Sequence, residues 1–279
     1  MKKLSQSELL YKATEIRIDV VKMLNAAGSG HAAGSLGMAD LLTALYFSIL
    51  NHDPEKPDWE LRDRLILSNG HTVPVRYAAL AHAGYFPITK LKTLRQMGSD
   101  LQGHPERTRM KALETTSGPL GSGLGQAAGI ALAARMDDAR FRTFCICSDG
   151  EHDEGNHWES VLFAAKYKLS NLTVFVDRNN IQIDGFTSTV MPLESLSEKY
   201  KAFNWNVLVI DGNDMGQILS SVERARQEYG KPTVIIANTV PGKGVAFMEK
   251  RYEWHGKVPN DDELKIALKE LTKTLKSQE

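Results

Sequence analysis

The 279-residue sequence has no excess of charge: 34 Lys and Arg stand against 34 Asp and Glu. Without a net field, neither nucleic acid nor an anionic membrane is attracted to it as a whole, and small-molecule chemistry is the expectation. Long apolar runs are missing too. No stretch of about 18 uncharged apolar residues is available to span a membrane. The opening Met1-Lys2-Lys3-Leu4-Ser5-Gln6-Ser7-Glu8 lacks the apolar core of a secretory signal, and a cytoplasmic protein is expected. Cysteine is scarce, with only Cys145 and Cys147. They stand two apart in an apolar run, where strand geometry points both to one face. That spacing gives neither an easy disulfide nor a CxxC redox pair, so packing is the expected role. Internal repeats, low-complexity tracts and linkers are absent as well. One domain over residues 1–279 is expected, with a helical tail from about residue 260.

What is present is a globular composition, 42% hydrophobic and 24% charged, sufficient for a substantial core. Apolar residues recur near helical spacing from about Ser5 to Asn25 and from Met38 to about Leu50. The glycine-rich stretch between them, Gly28 to Gly37, is expected as a flexible loop. From about Arg64 onward helical and strand-like segments alternate, the pattern of a mostly parallel sheet covered by helices on both faces, a three-layer αβα class. Short apolar runs at Leu65–Leu67, Phe144–Cys147, Leu172–Val176, Val207–Ile210 and Thr233–Ala237 read as buried strands. Each ends at polar residues. In an open parallel sheet, ligands bind outside the carboxyl ends of the strands, so these endings can converge on one crevice.

The stretch from Asp149 to Asn179 carries the most chemistry. A strand-end Asp-Gly is followed by a helix, a second strand and a strand-end Asn, thirty positions on. That is one βαβ unit, which sets Asp149 and Asn179 side by side at one edge of adjacent parallel strands. A carboxylate and an amide oxygen so placed can hold Mg²⁺, which takes oxygen ligands and completes its octahedron with phosphates and water. Gly150 lets a phosphate approach the backbone, and the helix beginning near Glu154-Gly155-Asn156 points its first amides toward an anion. The plainer alternative makes Asp149 a helix cap and Asn179 the start of a turn. The spacing and the matched strand ends favour the metal pair.

Ser148-Asp149-Gly150 with Asn179 is similar to the thiamine diphosphate fingerprint, and the surroundings resemble the transketolase family. Five further segments match in the family's order: the loop around His31 with Gly37-Met38-Ala39-Asp40, Ser68-Asn69-Gly70-His71, Gly103-His104-Pro105-Glu106, Thr115-Thr116-Ser117-Gly118-Pro119-Leu120-Gly121 and Ile183-Asp184-Gly185. The resemblance implies that Asp149 and Asn179, with the carbonyl of Ile181, ligate Mg²⁺, for which Ca²⁺ or Mn²⁺ can substitute. It implies that His71, Gly150, Glu151, Asn179 and His255 contact the cofactor's diphosphate end, and that Gly118 and Leu120 hold its aminopyrimidine. It implies that His31, His104 and His255 line the channel to the substrate as hydrogen-bonding or proton-moving groups. Histidine suits that work, with an unperturbed pKa of about 6.5. On residue type alone, the glycines from 118 to 125 more simply shape a turn. His52, His82, His152 and His157 lie outside every motif and are expected as surface or capping groups, and Glu154 as a first-turn residue, with subunit contact as a second reading. Three departures bear on the channel's shape: Ser148 for the usual Gly, Ala32-Ala33 for Pro-Gly, and Thr72 for Gly.

In that family the glutamate that activates the cofactor, and most basic residues that grip a substrate phosphate, belong to a second, pyrimidine-binding domain. Here only a charged helical tail follows His255. The resemblance therefore implies the diphosphate-binding subunit of a split transketolase in the pentose phosphate type of carbohydrate metabolism. It would move a two-carbon ketol unit from a ketose to an aldose in an α2β2 heterotetramer with a C-terminal, pyrimidine-domain subunit. Two rivals stand beside it: a subunit of another thiamine diphosphate enzyme, of the 2-oxo-acid dehydrogenase or deoxyxylulose phosphate synthase type, and a non-catalytic cofactor-binding module.

Overall fold

A computed structural model describes residues 4–278; Met1, Lys2, Lys3 and Glu279 of the expected domain lie outside the described residues. Three helices come first: α1 (Gln6–Ala27), α2 (Ala32–Gly37) and α3 (Ala39–Ala44), the last extended by a wider turn in which Leu50 N–H bonds the Leu45 carbonyl. Strand β1 (Arg64–Leu67), helices α4 (Val73–His82) and α5 (Ser122–Met136), strand β2 (Thr143–Ser148), helix α6 (Gly155–Lys166) and strand β3 (Leu172–Arg178) follow. A small antiparallel hairpin, β4 (Ile181–Gln182) with β5 (Gly185–Phe186), leads into α7 (Thr187–Val190) and α8 (Leu196–Ala202). Strand β6 (Asn206–Asp211), helix α9 (Met215–Arg226), strand β7 (Thr233–Asn238) and helix α10 (Asp261–Ser277) complete the order.

The five long strands form one all-parallel sheet in the order β1-β2-β3-β7-β6. Side-chain alternation divides its residues between two cores. Phe144, Ile146, Phe175 and Ile235 face the cluster built with α1 to α4, α9 and α10, whereas Cys145, Cys147, Val174 and Val176 face the one built with α5, α6 and α8. The three-layer αβα expectation is met. Each expected strand forms; in β2, β3 and β7 an apolar run buried on both faces needs no period-two pattern, while the edge strand β6 leaves Val209 exposed. The two cysteines are free and buried, their sulfurs 3.7 Å apart.

Local chemistry sets the helix ends. Ser5 and Glu8 close a capping box on α1, and Asn260 and Glu263 do the same on α10; a cap of this kind contributes about 1 kcal/mol. The expected helical tail, α10, packs against α1 and buries Ala267 and Leu271 in the first core. The expected flexible loop before α3 is corrected as well: Ala32–Gly37 is a short, wholly buried helix. Its small residues serve close approach rather than mobility, since a Cβ on Gly37 would lie 2.9 Å from the Val240 carbonyl oxygen. Asp40, part of a family-like motif, is structural. Its carboxylate takes a two-pronged ion pair from buried Arg17 (3.1 and 2.5 Å) and a bond from Asn213 Nδ2 (2.8 Å), pinning α3 to α1 and to the end of β6.

Candidate active site

Because all five strands run parallel, their polar endings lie along one edge, and a cleft of about 370 Å³ opens there. Among the expected site residues, His31, His71, His104, Gly118, Leu120, Asp149, Gly150, Asn179, Ile181 and His255 all line it. The βαβ argument is met at atomic detail: the Asn180 amide donates to Asp149 Oδ2 at 2.7 Å, so the ends of β2 and β3 touch. Gly150 N–H donates to Asp149 Oδ1 at 2.8 Å, while Asn179 Oδ1 accepts from Ile181 N–H at 3.0 Å. Asn179 Nδ2 donates to Asp177 Oδ2 at 2.9 Å, which fixes the amide with its nitrogen toward Asp177 and its oxygen toward the Ile181 N–H. Burial raises the Asp149 pKa to about 6, against the pull of the Asn180 amide and the Arg178 guanidinium. A buried carboxylate held this far from its ordinary value favours a cation beside it. Arg178 already supplies part of that compensation, Nη1 donating to Asp149 Oδ2 at 3.1 Å and to Thr187 Oγ1 at 3.0 Å, with Glu194 on its other nitrogen.

Four loops bring four imidazoles together above this edge. The His31 ring centre lies 4.9 Å from that of His71 and 5.6 Å from that of His255, and His71 and His255 are 5.2 Å apart. Burial, then mutual repulsion, lowers their affinity for protons; the His31 pKa falls to about 4, with Arg95 adding to the effect. His104 and His255 shift the same way by burial. These shifts favour the neutral rings near neutral pH. His31 Nδ1 is buried without a protein partner, as an atom aimed at a ligand would be.

Glu151 does not face the cleft. Its carboxylate is buried beneath the glycine-rich turn, accepting from Gly121 N–H (2.9 Å), Ser148 N–H (2.8 Å) and the Ser68 hydroxyl. Gly121 adopts a left-handed φ of 78°, and a Cβ there would collide with Asn156 and Glu154, so the turn requires glycine. Glu151 thus braces the turn that carries Gly118 and Leu120, which is why expecting it at the diphosphate misplaced it. His152 and His157, expected at the surface, are buried, each with Nε2 on the Tyr200 hydroxyl at 2.9 and 2.8 Å. His52 and His82 are half-buried against Tyr85 and Asp19. Glu154 is exposed at the start of α6 and makes no side-chain cap. Sequence reading gave no role to Arg178, although a charged residue inside a buried strand must have a partner, which was a usable signal.

A larger groove of about 890 Å³ elsewhere is lined by Arg62, Arg64, Arg107, Lys111, Asp58 and Glu114, with Arg62 paired to Glu114 and Lys111 to Asp58, and holds none of the expected site residues. Cys147, Glu151 and His157 bring metal-type atoms within 4.8 Å of one another, yet the Glu151 oxygens are engaged by the three donors named above.

Fold and cleft together define an α/β domain of the kind that holds a phosphorylated cofactor at the carboxyl edge of its sheet. Residues 10–275 match the thiamine diphosphate binding domain of transketolases, and the chain belongs to the transketolase family. It is 42% identical to a 6-deoxy-6-sulfo-D-fructose transketolase subunit of Clostridium sp., over 96% of this chain and 98% of that one. It is 40% identical to an apulose-4-phosphate transketolase subunit of Actinobacillus succinogenes, over 96% of this chain and 97% of that one. Transketolase of Campylobacter jejuni superposes with a TM-score of 0.90 at 32% identity, covering 96% of this chain and 43% of that one. The chain thus spans less than half the length of that solved transketolase. Among the described residues no helix is long and apolar enough to cross a membrane.

Proposed function

We propose that this chain is the diphosphate- and metal-binding subunit of a two-chain transketolase, a single cofactor-binding domain that passes a two-carbon ketol unit from a ketose to an aldose. The observation that carries the reading is the single cleft in which an oxygen pair at adjacent strand ends meets four neutral imidazoles. The donor set fits the group it would hold. Asp149, Asn179 and the Ile181 carbonyl offer hard oxygen ligands for Mg²⁺, or for Ca²⁺ or Mn²⁺ in its place. His71, Gly150 and His255 would meet the diphosphate, and Gly118 and Leu120 the aminopyrimidine. Bound there, thiamine diphosphate supplies the electron sink for breaking the bond next to the ketose carbonyl. His31, His104 and His255 would orient the sugar hydroxyls and carry protons between them.

Support for a partner comes from relatives that are named subunits and that match along nearly their whole length. The partner would be a C-terminal, pyrimidine-domain chain supplying the cofactor-activating glutamate, in a cytoplasmic α2β2 assembly. Substrates would be sugars bearing a phosphate or a related anionic group. Mixing the chain with that partner, thiamine diphosphate and Mg²⁺ should give ketol transfer between sugars; decarboxylation of pyruvate without transfer overturns the reading. With the partner present, Asp149→Ala should abolish Mg²⁺-dependent cofactor binding in calorimetry, and unchanged affinity would remove Asp149 from the metal site.

A further inference from the structure

Arg95 lies where two of the cleft's loops come together, and nothing in the mechanism above uses it. Its side chain is exposed, and Nη1 lies 3.4 Å from Ser29 Oγ, two residues before His31. The other loop meets it at Gly103, one residue before His104, where an added Cβ would fall 3.0 Å from both Nε and Cζ of the guanidinium. A Cβ on Gly30 would come within 3.9 Å of Nε. Two glycines therefore leave the guanidinium seated on bare backbone, with no side chain of their own between it and the two histidines that follow them. Its segment is held in place by the Arg95 N–H bond to the Leu101 carbonyl at 2.8 Å, with φ at 60°. The proximity registers electrostatically, since its charge helps to depress proton binding at both His31 and His104.

Among the described residues no carboxylate forms an ion pair with the guanidinium, as is common for an exposed arginine, whereas the buried Arg17, Arg62, Arg76 and Arg178 are each paired; an incoming anion would not have to displace one. A fork of N–H donors beside the loops that carry His31 and His104 into the cleft, with no ion-pair partner among the described residues, suits a tetrahedral oxyanion. Resting on the ketol-transfer reading, we infer that Arg95 is a specificity-determining residue that receives the terminal oxyanion, phosphate ester or sulfonate, of a sugar lying in the cleft. The chain would thereby contribute its own share of anion recognition, in addition to whatever the partner subunit supplies.

The test uses the assembled enzyme with thiamine diphosphate and Mg²⁺, titrated calorimetrically with three polyols that cannot react: sorbitol 6-phosphate, the corresponding 6-sulfonate, and sorbitol. The wild-type enzyme should bind both anions more tightly than sorbitol. Arg95→Ala should weaken the anions about tenfold, the scale of a hydrogen bond to a charged group, and leave sorbitol unchanged; Arg95→Lys should restore part of the loss. Whichever anion loses more to Arg95→Ala identifies the oxyanion this residue serves. A wild-type enzyme without anion preference, an Arg95→Ala enzyme that keeps it, or an equal loss for sorbitol overturns the inference, the last by showing that Arg95 only shapes the Ser29 loop. Because the polyols do not react, the two readings fail separately. Arg95-dependent anion preference without ketol transfer would overturn the function and keep the residue, and transfer without the preference would do the reverse.

Discussion

Four histidines meet in the cleft and two more meet in the second core, and the two groups differ in how their nitrogens are used. In the cleft, His31, His71, His104 and His255 arrive on four separate loops, and the rings of His31, His71 and His255 contact one another without hydrogen bonds between them. In the core, His152 Nδ1 lies 2.9 and 3.0 Å from the carbonyls of Ser148 and Asp149, which fixes that nitrogen as a donor. Its Nε2 then accepts from the Tyr200 hydroxyl, and the Tyr200 oxygen accepts from His157 Nε2. These bonds fix His152 as a neutral ring, burial disfavours the proton on His157, whose Nδ1 has no protein partner, and neither ring lines the cleft. The contrast separates rings that line an open cleft from a buried network that ties β2 to α8.

Substitution should split the two groups most widely in rate. In the assembled enzyme, His255→Ala is expected to lower ketol transfer by about a hundredfold, the scale of a positioned proton-transfer group, with little change in thermal midpoint. His157→Leu should leave the rate within about threefold and shift the midpoint instead. Steady-state kinetics paired with thermal melts checks both, and a large rate loss in the core variant would break the comparison. Glu151 links the regions, so its removal should register in both measurements. Glu151→Ala strands the Gly121, Ser148 and Ser68 donors, and a loss of about 3 kcal/mol is expected from denaturant titration, with weaker thiamine diphosphate binding as the turn loosens. Glu151→Gln, which keeps an acceptor, should lose less than half as much. Gly37→Ala tests packing alone: pressing a methyl toward the Val240 oxygen should destabilise by about 1–2 kcal/mol without altering which sugars react.

Much of the contrast could be read before folding. The five strands and their polar ends were legible because each apolar run stops at a Ser, Asp or Asn, and the parallel arrangement then places those ends along one edge. The cleft histidines were legible because each lies beside glycine or proline in a loop. The core pair was not. His152 and His157 sit in a short turn and at the start of α6, where no periodicity distinguishes a buried ring from an exposed one, and their partner Tyr200 is more than forty positions away. Helix α2 was hidden for a related reason, since a segment of Ala, Gly and Ser shows no apolar stripe even when every residue is buried. The place of Glu151 depended on the conformation of Gly121, thirty positions earlier, which no local pattern reports.

The smallest expected effect is in acid sensitivity, and it compares the two regions under one condition. Burial lowers the His152 pKa to about 4 and pushes that of His157 well down, while the unfolded chain titrates near the ordinary value. Above a pH of about 6.5 both states are neutral and the full stability is present. As pH falls below that value the unfolded state takes up protons that the folded state refuses, and stability drops by up to ~1.4 kcal/mol per pH unit for each such histidine until the folded pKa is reached. His31 follows the same sign in the cleft. An anionic cofactor beside the cleft histidines raises their folded pKa, so it should flatten their share of the slope and leave that of the core pair. Denaturant midpoints from pH 7.5 to 5, with and without thiamine diphosphate and Mg²⁺, should therefore show a cofactor-sensitive component that His31→Gln removes and a cofactor-insensitive one that His152→Gln removes. A slope that both variants leave untouched would mean that other groups govern acid unfolding, and the division between cleft rings and buried network would lose its electrostatic support.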